Sequence, residues 1–173
     1  MLSQKLQDAI NAQINAEFWS AYLYLSMSMD AASQGLKGIS NWFAIQFKEE
    51  QDHAQILINY LNSRNSRVVL APIAKVQTEW ATPLAMYEDT LAHEKQVTEM
   101  INKLFQLADD EKDIATKNML VWFVDEQVEE EENAREIIDQ LKMVEGNKFG
   151  LYMIDKELGA RTYSVAAPLA SNE

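Results

Sequence analysis

The sequence predicts an all-α domain: a four-helix bundle with one long crossover connection and a short fifth helix near the C-terminus. Three observations carry this. The 173 residues include only five glycines and three prolines, while Ala, Leu, Ile, Met, Glu, Gln and Lys, all strong or fair helix formers, are abundant. Four long segments repeat apolar residues at helical spacing. Between these segments lie two short breaks and one long one, and those lengths decide the directions of the helices. A chain of this size forms one domain able to bury a stable core unaided.

The first helix is expected over about residues 3 to 32, with Ser3 as its N-cap and a stripe of Leu6, Ile10, Ile14, Glu17, Ala21 and Tyr24. Gln34, Gly35 and Gly38 mark the first break. The second, about 38 to 65, carries Ile39, Trp42, Gln46, Glu50, His53, Leu57 and Tyr60. Thr82 and Pro83 supply the cap and first turn of the third, whose stripe reads Leu84, Tyr87, Leu91, Glu94, Thr98, Ile101 and Phe105. The fourth starts near Asp110, continues through Leu120, Phe123, Gln127, Glu130, Ala134, Ile137 and Leu141, and stops before Gly146, a residue type suited to helix ends. Phe149, Leu151, Ile154 and Leu158 define the short fifth helix. The domain is therefore read as residues 1–158, and the aperiodic tail 159–173 is expected to be disordered.

A helix of 28 to 30 residues is about 42 to 45 Å long. The stretch Ser33 to Gly38 reaches at most about 20 Å, so the first two helices must be antiparallel; the short break near Asp109 and Asp110 makes the third and fourth antiparallel too. Ser66 to Ala81, by contrast, reaches about 53 to 58 Å, enough to traverse the bundle and start a helix parallel to the second. A flexible linker is the rival reading. Val68, Val69, Leu70, Ile73, Val76 and Trp80 are too apolar for it.

The net charge of −12, from 27 acidic and 15 basic side chains, argues against binding nucleic-acid backbones, which requires clustered Lys and Arg. Cations are the expected partners. The absence of cysteine excludes disulfides, zinc thiolates and thiol catalysis. The first twenty residues lack the basic start and apolar run of a signal peptide, and no stretch approaches a membrane span of about 20 apolar residues. A cytoplasmic protein without membrane partners is expected.

Polar residues interrupt every apolar stripe. Glu17, Glu50, His53, Glu94, Gln127 and Glu130 have mostly apolar neighbours three, four and seven positions away, so they should face the core. Glu17 and His53 each lie eighteen residues from Gly35, and Glu50 fifteen; Glu94 and Gln127 lie sixteen and seventeen from Asp110, and Glu130 twenty. All six therefore converge near mid-bundle. Burying a lone ionised carboxylate costs several kcal/mol, and four with one nearby histidine require metal ions. Carboxylate oxygens with one imidazole suit iron or manganese. Taken singly, each residue also reads as a boundary or surface position; four helices agreeing in height do not.

Glu49, Glu126 and Glu129 neighbour this set and with Glu130 could hold a further cation, although Glu129 to Glu132 also reads as a solvated acidic run. Tyr24, two turns after Glu17, is either an electron donor or packing. Trp122 has the same two readings. Asp109, Asp110, Glu111 and Asp113 are read as acids favouring a helix start.

The segments "INAEF" (Glu17), "EEQDH" (Glu49, Glu50, His53), "AHEKQV" (Glu94), "VDEQVEEEE" (Glu126, Gln127, Glu129, Glu130) and "GLYMIDKEL" resemble, in order and spacing, the motifs of the non-haem ferritins of bacteria. The resemblance covers about Leu2 to Leu158. It implies the ferritin-like fold, and a first iron on Glu17, Glu50 and His53, with Glu50 bridging to a second on Glu94 and Glu130 and Gln127 close by. It further implies a third iron site at Glu49, Glu126, Glu129 and Glu130, and a tyrosine beside the centre at Tyr24. It also implies a hollow 24-subunit cage, the short last helix lining a four-fold channel and the crossover at a dimer contact. A role of Asp109, Asp110, Glu111 and Asp113 as an iron route is implied only by this resemblance. Gln51 stands where haem-binding relatives carry a methionine, so no haem is expected. Gln127 and Glu130 replace the second Glu-x-x-His of those relatives. The implied activity is Fe(II) oxidation by dioxygen or peroxide with storage of the ferric product. A free-standing di-iron oxidase and an inactive cage subunit are the alternatives.

Overall fold

The computed structural model describes residues 2–170, which form α1 (Gln4–Ser33), α2 (Lys37–Ser63), α3 (Pro83–Asp110), α4 (Ile114–Met143), α5 (Lys148–Leu158) and α6 (Ala167–Ala170). Local chemistry sets most of the starts. Ser3 accepts the Leu6 N–H at 3.1 Å and Thr82 accepts the Ala85 N–H at 3.1 Å, while Asp113 and Asn147 do the same for α4 and α5. The start of α2 has no side-chain cap of its own. Asp155 of α5 supplies one instead, its Oδ1 accepting the N–H groups of Gly38 and Ile39, both at 2.9 Å.

The first three helices end alike. Each is followed by a residue at positive φ, Gly35 (81°), Asn65 (53°) and Lys112 (57°), and by the paired bonds that close a helix end: Leu36 N–H to Ala31 O, Ser66 N–H to Leu61 O and Asp113 N–H to Ala108 O. Two boundaries differ from expectation for this reason. The second helix stops at Ser63 rather than 65, and the fourth starts at Ile114 rather than near Asp110, because Asn65 and Lys112 take the role usually given to glycine.

The crossover lies along α1. Asn11 donates to Arg67 O at 3.0 Å and accepts the Val69 N–H at 2.7 Å, Asn15 donates to Ala71 O at 3.2 Å, Ser26 donates to Gln77 O at 2.6 Å, and Asp30 accepts the Trp80 N–H at 3.1 Å. It climbs the helix from start to end. Val76 and Trp80 are buried, but Val69, Leu70 and Ile73 are exposed, an apolar strip facing outward.

Two apolar cores result, one around Met27, Ile39, Phe43 and Tyr87, the other around Ile10, Leu57, Ile101 and Phe123. Between them lies a polar layer. The tail differs from the expectation of disorder over the residues described. Arg161 pairs with Glu49 at 2.8 Å, while Asp52 accepts the Tyr163 hydroxyl at 2.8 Å and the Ala166 N–H at 3.0 Å. Polar bonds to α2 hold this segment, so no apolar period announces it; residues 171–173 lie outside the described residues. Among the described residues, no helix is long and apolar enough to cross a membrane.

Candidate metal centre

Glu17 on α1, Glu50 and His53 on α2, Glu94 on α3 and Gln127 and Glu130 on α4 are all buried, with relative exposures of 1 to 5 %. Each sits on the inward stripe of its helix. The spacing of three within Glu50–His53 and Gln127–Glu130 sends both members of each pair to one face. Glu17, Glu50 and His53 bring one ligand atom apiece within 4.8 Å of one another, as do His53, Glu126 and Glu130. Glu50 Oε2 lies 3.3 Å from His53 Nδ1. Glu94 forms no such triad among the described residues; it accepts from the Tyr24 hydroxyl, and from Gln127 Nε2 at 3.1 Å.

No lysine or arginine is buried among the described residues, so the four core carboxylates lack a cationic side chain in the interior. Burial, then the neighbouring Glu94 and Glu17, push the Glu50 carboxyl well above its usual range. Burial with Glu94 and Glu50 does the same to Glu130. Glu94 is raised by burial too, against the opposing bonds from Tyr24 and Gln127. Burial and the adjoining carboxylates also hold the Tyr24 phenol well above its ordinary value. Glu17 has one oxygen available to a cation. Gln13 donates to its Oε1 at 2.9 Å, whereas its Oε2 is buried with no hydrogen-bond partner, and native interiors rarely leave such an atom unsatisfied.

The outer carboxylates are less uniform. Glu126 is half-buried and its Oε1 approaches His53 Nε2 at 4.0 Å. Burial raises its pKa, with His53 opposing. Glu49 is half-buried and held by Arg161; burial raises it and Arg161 counters. Glu129 is exposed and joins neither triad. Trp122 packs edge-on to His53 with centroids 5.5 Å apart.

A family model described as the ferritin-like domain matches residues 7–144. The chain belongs to the ferritin family. It is 42 % identical over 161 residues to a bacterial non-heme ferritin of Bacteroides fragilis, covering 93 % of this chain and all of the relative. A bacterial non-heme ferritin of Staphylococcus saprophyticus is 37 % identical over 163 residues, covering 94 % of this chain and 98 % of the relative. Among solved structures, an open pore ferritin from the archaeon Archaeoglobus fulgidus superposes with a TM-score of 0.93 at 44 % identity, covering 94 % of this chain and 100 % of that one. Family membership places the chain among iron-storage proteins.

Several residues of this ferritin's polar layer escaped the sequence reading as parts of the site. Gln13 and Gln46 stand one turn before Glu17 and Glu50, and Gln46 donates to Glu130 Oε2 at 2.8 Å; a glutamine four residues before a core glutamate was the available signal. The third helix is rotated from its expected stripe, burying Met86, Thr90, His93, Val97 and Leu104 and leaving Leu84, Leu91 and Phe105 partly exposed. The second histidine is therefore buried as well. His93 bonds Ser20 Oγ at 2.8 Å and packs on Trp19, with burial lowering its pKa to about 4. The acids between α3 and α4 have local partners: Asp113 caps α4 and pairs with Arg64, Asp109 pairs with Lys117, and Asp110 accepts from Gln106.

Proposed function

We propose that this ferritin oxidises Fe(II) at a dinuclear site in the polar layer and deposits the ferric product inside a hollow 24-subunit cage, acting in the cytoplasm. Four buried carboxylates converge on one imidazole, with no buried lysine or arginine among the described residues to balance them. That observation carries the reading, since such a cluster must either keep protons, as the raised carboxyls do, or exchange them for bound cations.

Glu17, Glu50 and His53 hold the first iron. Glu94 and Glu130 hold the second, with Glu50 between the two and Gln127 fixing Glu94. Each Fe(II) gives up one electron, and dioxygen takes the pair with two protons to leave as hydrogen peroxide, which can itself serve as an oxidant. Carboxylates favour the ferric state because they stabilise its extra charge. The neutral imidazole and amide keep the total ligand charge low enough for Fe(III) to depart. Tyr24, hydrogen-bonded to Glu94, is placed to supply a further electron. Glu49, Glu126 and Glu129 extend the carboxylate path outward from Glu130 as a third site. No residue is assigned to haem.

Replacing Glu94 and Glu130 together by alanine removes both terminal carboxylates of the second iron. Stopped-flow oxidation of Fe(II) should then slow by more than the roughly 10- to 100-fold typical of losing an outer partner; a rate within twofold of wild type would refute the assignment. Particle size tests storage separately. A monomer or dimer in solution would favour a free oxidase, and a hollow particle retaining iron supports the cage.

A further inference from the structure

Arg161 lies beyond the helices that build the bundle, yet reaches two carboxylates of the iron path. Its Nη2 donates to both oxygens of Glu49, at 3.1 and 2.8 Å. Its Nη1 donates to Gln46 Oε1 at 2.7 Å, and the Nε2 of that fully buried glutamine donates to Glu130 Oε2 at 2.8 Å. The guanidinium also stacks on Trp42, 4.8 Å from the ring centroid. Among the described residues, it is the one arginine or lysine that pairs with any proposed iron-holding side chain. The docking of Tyr163 and Ala166 on Asp52 keeps the segment in place.

We infer that Arg161 is a built-in counter-cation of the outer carboxylates: it competes with iron for Glu49 and, through Gln46, holds Glu130 toward the inner centre. A guanidinium nitrogen bonded to both oxygens of Glu49 offsets the charge that would draw a metal ion there. Iron must displace it, so the outer site binds weakly and releases onward what the inner centre has oxidised. This role rests on reading Glu49, Glu126, Glu129 and Glu130 as a third iron site.

Anaerobic Fe(II) titration of the assembled protein by calorimetry tests it, with folding checked by circular dichroism and particle size. Arg161→Ala should tighten the weakest binding step by about tenfold, Arg161→Lys should tighten it less, and Glu49→Gln added to Arg161→Ala should abolish the gain. Tyr163→Phe removes one tie of the segment but leaves Arg161 its own bonds to Glu49 and Gln46, and should tighten that step less than Arg161→Ala does. An unchanged or weakened step in folded Arg161→Ala overturns the inference. The tight steps belong to Glu17, Glu50, His53, Glu94 and Glu130, so their absence from wild type would count against the dinuclear centre, independently of the weak step.

Discussion

At the scale of single residues, the chemistry is governed by carboxyls kept out of water. Glu50, Glu94 and Glu130 all have pKa values raised above the ordinary carboxylate value, chiefly by burial. A carboxyl raised on folding binds its proton more tightly in the folded chain. Its contribution to stability is therefore full below the unfolded value and is lost as pH rises through the folded one. Metal-free protein should accordingly lose stability between the ordinary carboxylate range and these raised values, the reverse of usual acid denaturation. Iron must displace the retained protons. Anaerobic Fe(II) binding in buffers of different ionisation enthalpy should show proton release, with affinity climbing as pH rises through the same window. Pure charge neutralisation of ionised carboxylates, with no buffer dependence, would contradict this.

At the scale of the element, the helix ends explain where pattern reading loses accuracy. Gly35 closes α1 in the expected way, but α2 and α3 use Asn65 and Lys112 at φ 53° and 57°. Asparagine tolerates that conformation; lysine carries a cost of about 1–2 kcal/mol. Glycine would remove this cost but lose about 0.4–1 kcal/mol by loosening the unfolded chain. The first effect is larger, so Lys112→Gly should stabilise the protein by about 0.5–1 kcal/mol, read as a higher denaturant midpoint with an unchanged slope. A lower midpoint would show that the Lys112 side chain contributes more than its backbone costs. The same geometry shows why the acids near this turn need no role in iron transport to account for them: Asp113 caps α4 while held by Arg64.

For the whole molecule, the decisive contact is where α5 crosses the start of α2. A Cβ added at Gly38 would sit 1.5 Å from the Asp155 carbonyl oxygen, so the two backbones meet there only because the residue is glycine. Asp155 then caps α2, and the chain leaving α5 carries Arg161 to Glu49. Gly38→Ala should push α5 away, costing about 1–3 kcal/mol by overpacking. The denaturant midpoint should fall, and the weakest Fe(II) step should tighten as Arg161 withdraws. A midpoint and binding curve matching wild type would mean that α5 shifts without strain. The exposed Val69, Leu70 and Ile73 form the apolar strip on the crossover that the proposed cage would cover.

The bundle, its directions and the polar layer were legible in the sequence because each depends on local periodicity or chain length. Glu17, Glu50, His53, Glu94, Gln127 and Glu130 interrupt apolar stripes, and counting from the turns places them at one height whatever the packing details. The ends at Asn65 and Lys112 are local but use residue types that do not announce them, whereas the rotation of α3 that buries His93 and the cap lent to α2 by Asp155 were decided by tertiary structure. So was the reach of Arg161 to Glu49 and, through Gln46, to Glu130. Those interactions join residues up to more than a hundred positions apart, and a hydrogen bond between distant segments leaves no period in either of them.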